Sequence, residues 1–73
     1  MDTGSQYILS SLDHALDVLN LFFEHEELSA ATAARELGVS RTAAFRMLYT
    51  LEAKGCLTRT PEGAYRLGIK LFS

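Results

Sequence analysis

A mainly α-helical fold with one small β-hairpin is what this sequence predicts, and three observations carry the prediction. Residues 29–55, SAATAARELGVSRTAAFRMLYTLEAKG, hold two short helical segments joined across Gly38-Val39-Ser40. Apolar residues recur at helical spacing from about Ser10 to Glu24. After Gly55 the period becomes that of strands, in two short runs on either side of Pro61-Glu62-Gly63. Three helices followed by a hairpin make a winged helix-turn-helix: three helices plus a wing.

Each element has a local cause. Residues 1–9 read as a flexible polar arm, and residues 10–68 as the winged domain. In the first helix Leu12, Ala15, Leu16, Leu19, Phe22 and Phe23 form the expected core face, with Asp13, Asp17, Asn20 and Glu24 opposite. Val18 and Leu21 lie outside that arc. The helix is therefore more apolar than one buried face requires, through packing on two sides or through a subunit contact. Ser29 caps the next helix, about Ala30 to Leu37, and Ser40 caps the one after it, Arg41 to about Lys54. These two helices cross closely, so their contact positions must be small: Ala33 and Ala34 on one, Ala44 on the other. Gly38 ends the earlier helix and Gly55 the later one, each at a position where a positive φ is needed. Ala44, Met47, Leu48 and Leu51 face inward at helical spacing.

The wing is read from residues 57–60 and 64–67. Pro61 suits the first central position of a turn, and Gly63 its left-handed exit. Tyr65, Leu67 and Leu57 are expected on one face over the core, with Gly68 closing the hairpin. The apolar run Ile69-Lys70-Leu71-Phe72 reads as the start of a linker to an effector domain absent from these residues.

Composition excludes several classes. With 73 residues there is room for one small domain. A single cysteine, Cys56, builds no disulfide framework and suits a reducing, cytoplasmic setting. No apolar run approaches the roughly 20 residues of a membrane span. An enzyme is not expected, because His14, His25 and Cys56 form no recognisable nucleophile or acid–base arrangement. Two scattered histidines and one cysteine make no metal site, and no cofactor is expected.

The net charge of −2 hides a segregation. Residues 1–34 hold six acidic residues and no Lys or Arg, while all seven basic residues follow: Arg35, Arg41, Arg46, Lys54, Arg59, Arg66 and Lys70. A basic half and an acidic half suggest one surface for a polyanion, with Arg41, Arg46, Arg59 and Arg66 together and Asp13, Asp17 and Glu24 elsewhere. In a helix-turn-helix the second helix of the motif can enter the major groove of DNA. Ser40, Arg41, Thr42, Phe45, Arg46 and Tyr49 lie off the buried line of that helix. Arg can bridge guanine O6 and N7, and hydroxyls can reach phosphate oxygens or base edges. Phe45 can meet a thymine methyl or pack as a shoulder against the first helix. Arg46 can contact DNA or pair with Glu52 or Glu36. On the wing, Arg59 and Arg66 would reach the minor groove or flanking phosphates, although Arg66 between Tyr65 and Leu67 also fits the outward side of an edge strand. The rival use of the fold, protein contact without DNA, has no need of these arginines on one side.

The stretches SLDHALDVLNLF, LSAATAARELGVSRTAAFRMLYTLEAKGCL and PEGAYRLGIKL, in this order and at close spacing, resemble the DNA-binding domain of the IclR family of bacterial transcription regulators. The ALDVLNLF and AYRLG segments distinguish it from winged-helix families such as MarR or ArsR. The resemblance covers about residues 10–72. It implies a homodimer or homotetramer on a pseudo-palindromic operator in double-stranded DNA. It also implies a small-molecule effector bound only by a C-terminal domain. The chain departs from the family at Ala43 and Ala44, where a hydroxyl residue and a larger aliphatic one are usual, which removes one phosphate or base contact.

Overall fold

Side-chain caps and left-handed glycines set where the second and third helices begin and end in a computed structural model that describes residues 7–68. Helix α1 spans Ser10–Leu21, α2 Ala30–Leu37 and α3 Arg41–Ala53, followed by strands β1 (Leu57–Arg59) and β2 (Tyr65–Leu67). The linker expected at 69–73, and most of the N-terminal arm, lie outside the described residues.

The Ser29 side chain accepts from the Thr32 amide at 3.1 Å and caps α2. Ser40 does the same for α3, accepting from Ala43 N–H at 3.0 Å. Between them Gly38 stands at φ 70°. The amides of Gly38 and Val39 both donate to the Ala34 carbonyl, at 2.9 and 3.1 Å, so that carbonyl closes the end of α2 into the turn. Helix α3 ends in a Schellman motif. Cys56 N–H donates to Leu51 C=O at 2.9 Å and Gly55 N–H to Glu52 C=O at 3.0 Å, with Gly55 at φ 86°.

The wing is a two-stranded antiparallel ribbon in which Leu57 faces Leu67, Thr58 faces Arg66, and Arg59 faces Tyr65. Gly63 N–H donates to the Thr60 carbonyl at 3.0 Å, which places Pro61 at the first central position, as expected. Strand alternation puts Leu57, Arg59, Tyr65 and Leu67 on the inner face and Thr58 and Arg66 on the outer one. A third short segment joins the ribbon: Leu28 and Tyr65 exchange backbone hydrogen bonds of 2.9 and 2.8 Å. No strand pattern in the sequence announces Leu28, a single apolar residue after four acidic or imidazole side chains.

The core contains Val18, Phe22, Leu28, Ala33, Ala34, Ala44, Leu48, Leu57 and Tyr65. The three alanines bear out the close α2–α3 crossing. Helix α1 corrects the sequence reading in two ways. It ends at Leu21 rather than Glu24, and Phe22, Phe23 and Glu24 N–H groups reach back three residues in tightened turns. Its core face is also rotated. Val18 is fully buried, whereas Leu12, Leu16 and Phe23 are 55%, 50% and 85% exposed. The helix carries two apolar stripes, both at helical spacing: Ala15–Val18–Phe22 and Leu12–Leu16–Leu19–Phe23. The compact Val18 stripe packs into a core whose other helices present alanines; of the larger stripe only Leu19 is half-buried against that core, and Leu12, Leu16 and Phe23 are left exposed.

Two substitutions test this crossing. Gly38→Ala meets no atom within 4 Å, so its cost is that of a left-handed alanine, about 1–2 kcal/mol. In a domain this size that lowers Tm by about 4–8 °C for each kcal/mol. Ala44→Leu overpacks a fully buried contact and should cost about 1–3 kcal/mol or more. Thermal melts that leave both variants at the wild-type Tm would contradict the account.

Candidate nucleic-acid interface

Burying Ala44, Leu48, Met47 and Leu51 of α3 dictates which side chains it shows to solvent. Thr42, Phe45, Arg46 and Tyr49 follow one another at spacings of three and four, so they form a stripe along the opposite face. All four are exposed, and so are Ser40 and Arg41 at the start of the helix. Phe45 is 43% exposed and leans on Tyr49, with ring centroids 5.8 Å apart and planes tilted by 44°. The pair makes a rigid apolar ledge beside Arg46. Ser40 is already an acceptor for Ala43 N–H, yet its hydroxyl hydrogen remains available to a phosphate oxygen.

The arginines divide into two groups. Among the described residues neither Arg41 nor Arg46 forms an ion pair, with Glu36, Glu52 or any other group. Their charges on α3 are uncompensated. The wing arginines are held. Arg59 lies on the inner face, its guanidinium carbon 5.0 Å from the centre of the Tyr65 ring, and it donates to the Tyr65 hydroxyl. Its Nε stands 3.9 Å from a Glu52 carboxylate oxygen of α3. The hydrogen bond to Tyr65 is the main cause that raises the Arg59 pKa above its ordinary value, with Glu52 and Tyr49 adding to it against some desolvation.

Arg66 lies on the other face of the ribbon, with Nη2 at 3.1 Å from Glu26 and Nη1 at 3.7 Å from Glu27. The expectation of four arginines on one surface is therefore corrected. Arg59 and Arg66 alternate to opposite sides of the hairpin, and Arg66 meets the acidic α1–α2 loop. The physical reason is the register: Arg66 pairs across from Thr58, one step out of phase with the buried Tyr65. Sequence reasoning missed Glu26, Glu27, Glu52 and Tyr65 as partners of these arginines. The outward-strand reading of Arg66 held the signal for the first two. Those to Arg59 depend on where the ribbon lies against α3, which spacing does not reveal.

Beside the stripe an open cleft of about 540 Å³ runs between α1 and α3, with Leu12 and Ala15 on one wall and Ala43, Arg46 and Met47 on the other. Among the described residues no three His, Cys, Asp or Glu side chains gather as a metal site requires, and no helix is long and apolar enough to cross a membrane.

Comparison with known proteins places this geometry in context. Residues 11–61 match the IclR helix-turn-helix domain. The chain is 38% identical over 66 residues to the HTH-type transcriptional regulator XynR of Escherichia coli (strain K12), a span of 88% of this chain and 26% of that protein. Among solved structures, an IclR transcriptional regulator from Alicyclobacillus acidocaldarius superposes with a TM-score of 0.82 at 31% identity, over 89% of this chain and 27% of that one. An IclR-family regulator from Brucella abortus gives 0.83 at 25% identity, over 92% and 26%. The chain thus spans about a quarter of the length of these relatives.

Arg46→Ala should weaken binding to a selected duplex site by about 1–3 kcal/mol, as the loss of one good base contact does. Because Arg46 is exposed and unpaired, Tm should hold. A fall in Tm that accounts for the loss of binding would make Arg46 a structural residue instead.

Proposed function

The chain belongs to the IclR helix-turn-helix family, and from that premise we propose how its residues divide the work of binding DNA. It is the sequence-specific DNA-binding domain of a transcriptional regulator. The observation that carries the reading is the exposed stripe Thr42–Phe45–Arg46–Tyr49 on the second helix of the motif, flanked by Ser40 and Arg41 and, among the described residues, without ion pairs. Helix α3 enters the major groove, where Arg46 reads a guanine edge and the Phe45–Tyr49 ledge meets thymine methyls. Ser40, Arg41 and Thr42 fix the helix on the backbone through phosphate oxygens. Arg59 faces the flanking backbone or minor groove from the wing. Arg66, bound by two glutamates, ties the wing to the α1–α2 loop and contributes little to DNA. A module for protein contact alone would have no use for an uncompensated cationic stripe.

The exposed leucine stripe of α1 completes the reading. Leu9, Leu12, Leu16 and Phe23 are all at least half exposed, an apolar surface that the described residues leave uncovered. We assign it, with the segment after Gly68, to contact with a second subunit. A two-fold pair would set recognition helices about 34 Å apart in successive major grooves of a pseudo-palindrome. Such a regulator works in the cytoplasm, with effector sensing outside these residues.

Salt-dependent mobility shifts on duplexes selected from a random library test the DNA reading: affinity should fall steeply with salt, with the selected site favoured over random sequence. For assembly, sedimentation of the intact regulator should show a dimer or tetramer, and Leu16→Glu should drive it toward monomer. A monomer at micromolar concentration with unchanged operator binding would overturn the assignment of α1.

A further inference from the structure

Arg59 is the wing cation nearest the recognition helix, and its guanidinium is already engaged from two elements. Tyr65 of β2 offers its ring face and hydroxyl, and Glu52 of α3 brings a carboxylate oxygen to 3.9 Å of Nε. The two contacts differ in kind. Tyr65 is buried and neutral, directly across the ladder from Arg59, so it orients the guanidinium without cancelling its charge. Glu52 is an anion, and the pair it makes is open to solvent, with side-chain exposures of 41% for Arg59 and 34% for Glu52. A DNA phosphate and the Glu52 carboxylate are both oxyanions that suit the same planar fork. Exposed pairs of this kind are weak and screened by salt, so the two anions compete on comparable terms.

Resting on the DNA-binding reading above, we propose that Glu52 is a positioning residue that withholds Arg59 from the DNA backbone and so limits the sequence-independent part of the affinity. Glu52 sits one turn beyond the exposed stripe of α3, and among the described residues it pairs with Arg59 and with neither Arg41 nor Arg46. Base reading by Arg46 and the wing's share of the backbone attraction are thereby set by different residues. Arg41 and Arg46 make no ion pair among the described residues, while the wing arginine is held in check by a carboxylate from the same helix. The effect acts on the backbone, so it should be alike on every sequence.

Glu52→Gln tests this, because it keeps the side chain's size and removes its charge. Binding of the 73-residue chain to a random-sequence duplex and to a selected site is measured over a range of salt concentrations. Glu52→Gln should tighten both by about two- to fivefold, the equivalent of one exposed ion pair, and leave their ratio unchanged. The slope of log K against log salt should steepen by as much as about 0.9, one added phosphate contact. In an Arg59→Ala background the same substitution should have a clearly smaller effect on affinity and slope. Glu52→Ala should repeat the direction, and melting of each variant reports whether it is folded. Weaker binding by folded Glu52→Gln, an equal gain with Arg59 absent, or an unchanged slope would overturn the proposal. A wild-type chain that binds neither duplex would overturn the DNA reading itself, which separates the two failures.

Discussion

The close crossing of α2 and α3 is the constraint on which the rest of the domain depends. It needs alanine at the contact and a tight turn between the helices. Ala33, Ala34 and Ala44 meet the first need, and Gly38 in a left-handed conformation with Ser40 as the next cap meets the second. Once the buried line of α3 is committed to Ala44, Leu48 and their neighbours, its opposite face must show Thr42, Phe45, Arg46 and Tyr49. The binding stripe is thus a geometric consequence of packing. Its chemistry is then chosen freely, because none of these side chains is needed to hold the fold.

The wing is attached by a different device. Tyr65 is buried to 1% exposure and exchanges backbone hydrogen bonds with Leu28, so the loop after α1 supplies a third edge to the ribbon. Arg66 strengthens the same joint from the outer face through Glu26 and Glu27. On the inner face Arg59 is clasped between Tyr65 and Glu52. One short ribbon therefore carries two arginines with opposite duties, one directed to the loop and one to the recognition helix, and the two-residue period of a strand is what separates them.

Local chemistry made most of the fold legible. Caps at Ser29 and Ser40, stops at Gly38 and Gly55, and the Pro61–Gly63 turn each rest on a few adjacent residues, and each lies where the spacing predicts. The exposed stripe of α3 was legible for the same reason, since it is the complement of a strongly patterned core line. Helix α1 was harder. It offers two apolar stripes of similar quality, and the choice between them depends on what the rest of the core presents. The same holds for charge. Sequence segregation separates acidic from basic residues along the chain, but the hairpin brings Arg66 back to Glu26 and Glu27, some 40 positions earlier. Long-range pairing of this kind has no local signature.

The solvent face of α3, with Arg59 of the wing beside it, is the surface that meets DNA. Amide chemical-shift mapping during titration with a duplex carrying a selected site tests it most directly. The account predicts that the largest changes fall on residues 40–49, with smaller ones around Arg59. The solvent face of α1 and the Glu26–Glu27 loop should stay nearly unchanged at a one-to-one ratio of domain to half-site. Changes concentrated on Leu12, Leu16 and the α1–α2 loop, with α3 silent, would contradict it.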